Sequence, residues 1–188
     1  MKKAALMILA LVLCMNMSGC LGAVQADDYI YVVGIGFDKG SQYRFNVTFL
    51  VQKDVSGSEQ TSTGGAEIIS AEGDTLFDAI TVLSAGVPFR INFSRVNTFF
   101  FGEEVARSGR IKELSNITFN ALKIRQSAKL MVCLGTAQRL MQGLCLEDVP
   151  NITKLQFSVF QDYAAEGITV ITNYAGMLES IRGRRSDP

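Results

Sequence analysis

Residues 29–51 read Tyr-Ile-Tyr-Val-Val-Gly-Ile-Gly-Phe-Asp-Lys-Gly-Ser-Gln-Tyr-Arg-Phe-Asn-Val-Thr-Phe-Leu-Val, and this stretch decides the fold. Tyr29, Tyr31, Val33, Ile35 and Phe37 recur with period two, which puts them on one face of a strand over 29–37. Ile30 and Val32 make the other face apolar as well, the pattern of a central strand covered on both sides. Asp38-Lys39-Gly40-Ser41 supplies a turn. A second strand follows with strict alternation: Tyr43, Phe45, Val47, Phe49 and Val51 inward, Arg44, Asn46, Thr48 and Gln52 outward. Two such runs around a polar, glycine-bearing turn predict a β-hairpin.

Downstream, Asp54 to Gly65 is rich in Ser, Gly and Thr and reads as a mobile loop before another strand at Ala66 to Ala71. Thr75, with Asp78 three residues on, looks like a capping box opening a helix whose apolar stripe is Leu76, Ile80 and Leu83. Gly86-Val87-Pro88 ends it. Val96 to Phe101 reads as a buried central strand and Glu103 to Arg107 as a short helical turn. Ile111, Leu114, Ile117, Ala121 and Leu122 fall at helical spacing. Lys129 to Leu134 predicts a strand, with Met131 and Cys133 opposite Leu130, Val132 and Leu134. Thr136 opens a helix carrying Ala137, Leu140, Met141 and Leu144. Ile152, Leu155, Val159, Phe160 and Tyr163 suit another helix, and Asn173 to Ile181 a last one. Strands and helices alternate, but the sheet opens with a hairpin. The expected fold is therefore α+β: a mixed, mainly antiparallel β-sheet with helices packed on its faces.

The chain begins differently. Lys2 and Lys3 precede an uncharged run from Ala4 to Met15 that is too short to span a hydrocarbon core of about 30 Å, but suits the apolar region of a secretory signal. Met17-Ser18-Gly19-Cys20 follows, and it resembles the lipobox of bacterial lipoproteins, where the thiol is acylated with palmitate-type chains and the leader is cut just before it. Two or more acyl chains give a stable anchor. The expected organisation is a signal peptide over 1–19, a lipidated Cys20 with a linker over 20–28, and an α+β domain over 29–188. The protein would sit on the outer face of the cytoplasmic membrane.

Composition excludes several chemistries. The chain has 188 residues and no histidine, which removes Ser-His-Asp and Cys-His triads and histidine-based metal sites. No carboxylate pair or Ser-Lys pair stands out, so no catalytic, cofactor or metal residue is assigned and no enzyme is expected. The 18 basic and 18 acidic side chains balance, and losing Lys2 and Lys3 with the leader leaves −2. With no basic run, nucleic acid is not an expected partner. Beyond Cys20, Cys133 and Cys145 lie in apolar company, and both a disulfide and two buried thiols are open.

Remaining motifs read structurally. Gly34-x-Gly36 lacks the third glycine of a dinucleotide fingerprint, where Lys39 stands, and a strand follows in place of a helix. Adjacent acids at Asp27-Asp28 and Glu103-Glu104 suit solvated or capping roles. Arg182, Arg184 and Arg185 form a small basic cluster that reads as an exposed tail.

Taken together, several pieces in order resemble the Ger(x)C family of spore germination receptor C-subunit lipoproteins. They are Gly19-Cys20; Tyr31 to Asp38 with its hairpin; Gly73-Asp-Thr-Leu-Phe-Asp-Ala79; Phe93-Ser94 leading to Thr98-Phe-Phe-Phe-Gly-Glu-Glu-Val-Ala106; and the Gly109 helix. The resemblance covers that family's N-terminal region and implies a truncated member. It implies a non-enzymatic subunit of a nutrient germinant receptor at the spore inner membrane, docked to A- and B-type membrane subunits, with small-molecule germinant binding undecided. Docking is expected on the hairpin's exposed edge or the 54–65 loop. The alternatives are a solute-binding lipoprotein, with Tyr29, Tyr31, Phe37, Phe99, Phe100 and Phe101 lining a pocket, or a structural envelope lipoprotein.

Overall fold

The alternation over residues 29–51 becomes a pair of antiparallel strands in the computed structural model, which describes Lys3 and residues 29–52, 66–114, 122–146 and 172–183. Strand β1 covers Tyr29–Lys39 and β2 Phe45–Gln52. Then come β3 (Ala66–Gly73), α1 (Leu76–Gly86), β4 (Arg90–Asn92), β5 (Thr98–Gly102), α2 (Glu103–Arg107), α3 (Ile111–Leu114), β6 (Lys129–Cys133), α4 (Ala137–Leu146), β7 (Thr172–Asn173) and α5 (Tyr174–Arg182). The strands form one mixed sheet in the order β3-β2-β1-β5-β6-β7, with β4 also on β1. Pairings β1–β2, β2–β3 and β6–β7 are antiparallel, while β1–β4, β1–β5 and β5–β6 are parallel. The antiparallel ladders of β1 and β2 are the longest, so the expected mixed, mainly antiparallel α+β fold is what the chain adopts. The leader, Cys20, the linker, the 54–65 loop, the 152–163 helix, and Ile117 and Ala121 lie outside the described residues.

One irregularity revises the reading of β1. Val32 pairs with Val51 and Gly34 with Leu50, leaving Val33 as an extra residue. A bulge of this kind switches which face later side chains occupy. Ile30, Val32, Ile35 and Phe37 therefore share the larger core, while Val33 joins the smaller one on the other face. Strict period two over 29–37 is thus corrected. Opposite the bulge, the Asn97 N–H donates to the Val33 carbonyl at 3.1 Å. Asn97 ends the interruption between β4 and β5, which run along the same flank of β1 at Tyr29–Tyr31 and Gly34–Phe37.

Both faces are covered. On one, Ile35, Phe37, Phe45, Val47, Phe49, Phe99 and Phe101 pack with Leu76, Ala79 and Leu83 of α1, Val105 of α2, and Tyr174 and Met177 of α5. On the other, Val33, Leu50, Phe100 and Cys133 pack beneath Ala137 and Met141 of α4. A Cβ on Gly36 would stand 2.7 Å from Met141 Sδ and 3.1 Å from the Ala137 Cβ, so this glycine sets how closely α4 can approach. The outward face expected for β2 is correspondingly wrong at Thr48, which is fully buried and shares a 3.0 Å hydrogen bond with Ser70. Tyr43 also departs: it lies before β2 and is exposed. Val132 and Leu134 are exposed too, since β6 ends at Cys133 and has β7 beside it only at Lys129 and Leu130.

The helix starts follow their caps. Thr75 and Asp78 form the reciprocal capping box, with the Asp78 N–H donating to Thr75 Oγ1 at 3.2 Å and the Thr75 N–H to Asp78 Oδ2 at 2.9 Å. Asn173 caps α5, accepting from the Gly176 N–H at 2.8 Å. The hairpin turn is tied down from outside. Glu72 of β3 accepts from the Ser41 N–H and hydroxyl at 2.9 and 2.8 Å, and from the Gln42 N–H at 3.0 Å.

The Ser41 amide first, then the Gln42 amide and the Ser41 hydroxyl, lower the Glu72 carboxyl from 4.5 to about 2. A pKa depressed by folding contributes stability above the unfolded value and loses it as pH falls toward the folded one. The window here runs from about pH 4.5 to about pH 2. Glu72→Gln is expected to lack this acid-sensitive contribution and to lower amide protection at Ser41 and Gln42 at neutral pH. Hydrogen exchange of both proteins checks this, and identical protection in the two would contradict it.

Candidate functional site

The parallel strands β1, β5 and β6 point the same way, which gives the sheet two distinct poles. At the pole where they end, ligands of open α/β sheets commonly bind beside helix N-termini. Here the seat is taken by the chain itself. Asp38, placed in a turn by the sequence reading, lies in β1 and is buried. Its Oδ1 accepts from the Ala137 N–H at 2.7 Å and its Oδ2 from the Gln138 N–H at 2.8 Å, which caps the start of α4. Gly102, next to it on β5, has no room for a side chain, because a Cβ there would overlap Asp38 Oδ1. Gly34 and Gly36 stand within β1, and their face packs against Phe100 and α4. The dinucleotide reading is thereby answered: the glycines serve packing, and an internal carboxylate fills the place a phosphate would need.

Around this cap the polar groups pair among themselves. Glu103 binds Arg107 at 2.9 Å, and its Oε2 accepts from the Gly135 N–H at 3.4 Å; the Arg107 hydrogen bond, then the Gly135 amide, holds its carboxyl below the usual range. Glu104 pairs with Lys39 at 3.3 Å. Cys133 and Cys145 are both free thiols. Burial first, and the Asp38 carboxylate second, pushes the Cys133 thiol up to about 12, and burial likewise raises Cys145. Thiols held protonated in this way are poor nucleophiles. Among the described residues, no cluster of three or more Cys, Asp or Glu side chains could hold a metal ion.

The opposite pole, where β1 begins, is different. Tyr29 and Tyr31 stand on the α4 side of the sheet with ring centroids 6.4 Å apart, and Arg90 pairs beside Tyr29. The Arg95 guanidinium lies 3.7 Å over the Tyr31 ring, a cation–π contact. Beside it, a groove of about 420 Å³ is lined by Arg95, Val96, Asn97, Arg125, Ser127, Ala128 and Lys129. Among the described residues, three cations line it and no carboxylate does. Among the described residues, no carboxylate forms an ion pair with Arg125 or Lys129. Sequence reasoning missed this concentration because the cations come from separate segments, at 95, 125 and 129, with no charge run to mark them.

The other expected site residues divide clearly. Phe37, Phe99, Phe100 and Phe101 are buried core side chains, while Tyr29 and Tyr31 are half-buried. The hairpin has no exposed edge, since β2 pairs with β3 and β1 with β4 and β5. That expectation fails because the hairpin became the middle of the sheet. Cys20, Asp27, Asp28, Arg184, Arg185 and the 54–65 loop lie outside the described residues.

These features define an α+β domain whose strand ends carry a self-filled helix cap at one pole and a cationic groove at the other. The family model of the spore germination protein N-terminal domain matches residues 22–182, and the chain belongs to that family. The chain is 28% identical over 152 residues to "Putative spore germination protein YfkR" of Bacillus subtilis (strain 168). That match takes in 76% of this chain but 39% of the relative, so the chain spans about two-fifths of the relative's length. The Ger(x)C resemblance of the N-terminal region therefore holds. No solved structure matches the chain.

Proposed function

We propose that the chain takes part in spore germination as a lipid-tethered subunit of a nutrient germinant receptor, held through Cys20 at the outer face of the spore inner membrane. It works by docking to the A- and B-type membrane subunits and transforms no substrate. The observation that carries this reading is the family match over residues 22–182, directly behind the lipobox-like Met17-Ser18-Gly19-Cys20. Among the described residues no helix is long and apolar enough to cross a membrane, and a lipid tether at Cys20 supplies attachment without one. Confinement by the tether raises the domain's effective concentration near membrane partners. With the hairpin in the sheet interior, the longest strand edge that no described strand pairs is the outer edge of β3, with a shorter one on β6 beyond Leu130.

The decisive experiment is mass spectrometry of the N-terminal peptide from the membrane fraction, with Cys20→Ala alongside. A diacylated or triacylated Cys20 is expected in the wild type, with the variant released or left unprocessed. An unmodified Cys20 in a mature, membrane-associated protein would refute the tether. Co-purification of the A- and B-type subunits with the wild-type chain checks the docking role, and their absence from a lipidated, folded protein would overturn it.

A further inference from the structure

We propose that the groove lined by Arg95, Arg125 and Lys129 seats an anionic phospholipid headgroup, so that the pole where β1 begins faces the bilayer. The inference rests on the tether reading for its direction, and on the groove itself for its chemistry. Cys20 precedes Tyr29 by nine positions, so a tether between them spans at most roughly 30 Å even when extended. Tyr29 opens β1 at the same pole as the groove: its partner is Arg90, and Lys129 pairs with Thr98 at the start of β5. The groove therefore belongs to the part of the domain closest to the anchor.

Its chemistry suits a phosphodiester at a membrane surface. Arg95 sets its guanidinium 3.7 Å over the Tyr31 ring at the groove wall, and Arg125 brings to the groove an arginine fork, which matches phosphate oxygens in pairs. Arg125, ahead of β6, and Lys129, its first residue, add charge, and Asn97 and Ser127 add neutral polar side chains. Cations near an anionic leaflet are attracted within a Debye length, about 8 Å at physiological salt, so only a pole held close to the bilayer gains from them. At the opposite pole Lys39, Arg107 and Arg110 line a second groove, but Glu104 lies in that lining and pairs with Lys39, and Arg107 pairs with Glu103. The result is an orienting contact: the tether limits distance, and the groove chooses which end points down.

The test measures partition of the full chain onto phosphatidylcholine vesicles and onto mixed phosphatidylcholine–phosphatidylglycerol vesicles, at low and physiological salt. The wild type is expected to favour the anionic vesicles, and each groove cation neutralised is expected to lower that preference about fivefold. Arg125→Gln/Lys129→Gln should thus lose roughly 25-fold, with partition onto neutral vesicles unchanged. Arg107→Gln/Arg110→Gln, at the other pole, removes the same charge and should retain the preference. Equal loss in both double variants would overturn the groove as the seat. So would equal binding of the wild type to both vesicle types, which leaves the tether standing. An anionic preference that persists in Cys20→Ala supports the groove whether or not Cys20 is acylated. Inorganic phosphate that abolishes the preference, beyond chloride of matched ionic strength, would assign the groove to a small anion and overturn the lipid.

Discussion

Phe37→Ala is expected to lower the unfolding free energy by about 3–5 kcal/mol, the usual range for truncating a fully buried aromatic ring. Phe37 is 1% exposed and sits on the central strand. Its ring stacks on Phe101 at 5.4 Å with planes 13° apart and on Phe99 at 6.3 Å, and meets Phe45 edge-on at 6.4 Å. Removing it opens a void bordered by three strands that cannot close without bending the sheet. Typical domains hold only about 5–15 kcal/mol in all, so the variant should be close to unfolding. Denaturant titration of the two proteins measures the difference. A loss below about 1 kcal/mol would mean that the aromatic stack is not part of the cooperative core.

Asp38→Ala should cost about 2–4 kcal/mol, because two charge-assisted hydrogen bonds vanish and the first amides of α4 are left unsatisfied. Asp38→Asn keeps one acceptor oxygen and should fall between. The sharper test joins this residue to Gly102, whose missing side chain makes room for the Asp38 carboxylate. Gly102→Ala is expected to cost about 1–3 kcal/mol in the wild type, as overpacking does. In the Asp38→Ala background, where the obstructing oxygen is gone, it should cost clearly less. A double-mutant cycle is expected to show coupling above about 1 kcal/mol. Additive losses would mean that the two residues do not share one space.

Much of this architecture was legible because local signals and tertiary demands agree. The inward set Phe45, Val47, Phe49 and Val51, the Thr75–Asp78 box and the run Phe99-Phe-Phe101 each act over a few residues, and each keeps its predicted role. What stayed hidden depends on contacts between distant segments. The Val33 bulge has no mark in the alternation, since Val32 and Val33 are both apolar. The second core forms because α4 returns over Leu50 and Phe100, and that is why Thr48, outward by its alternation, is buried. Asp38 looked like an ordinary turn residue until Ala137 and Gln138, about a hundred positions away, supplied its partners. The cationic groove was illegible for the same reason. Cys20 carries the strongest sequence signal, and it lies outside the described residues.

The paired irregularities on either flank of β1 set a rule for how this fold can drift. The surplus residue at Val33 and the break from Phe93 to Asn97 meet through one hydrogen bond, so the two segments keep step although they are far apart along the chain. A residue gained or lost in one alone would slide Phe99 and Phe101 past Ile35 and Phe37, turning apolar rings toward the wrong side of the sheet. Insertions and deletions in these two places are therefore tolerated only in concert, while the turn beyond Lys39 can change length without disturbing that alignment.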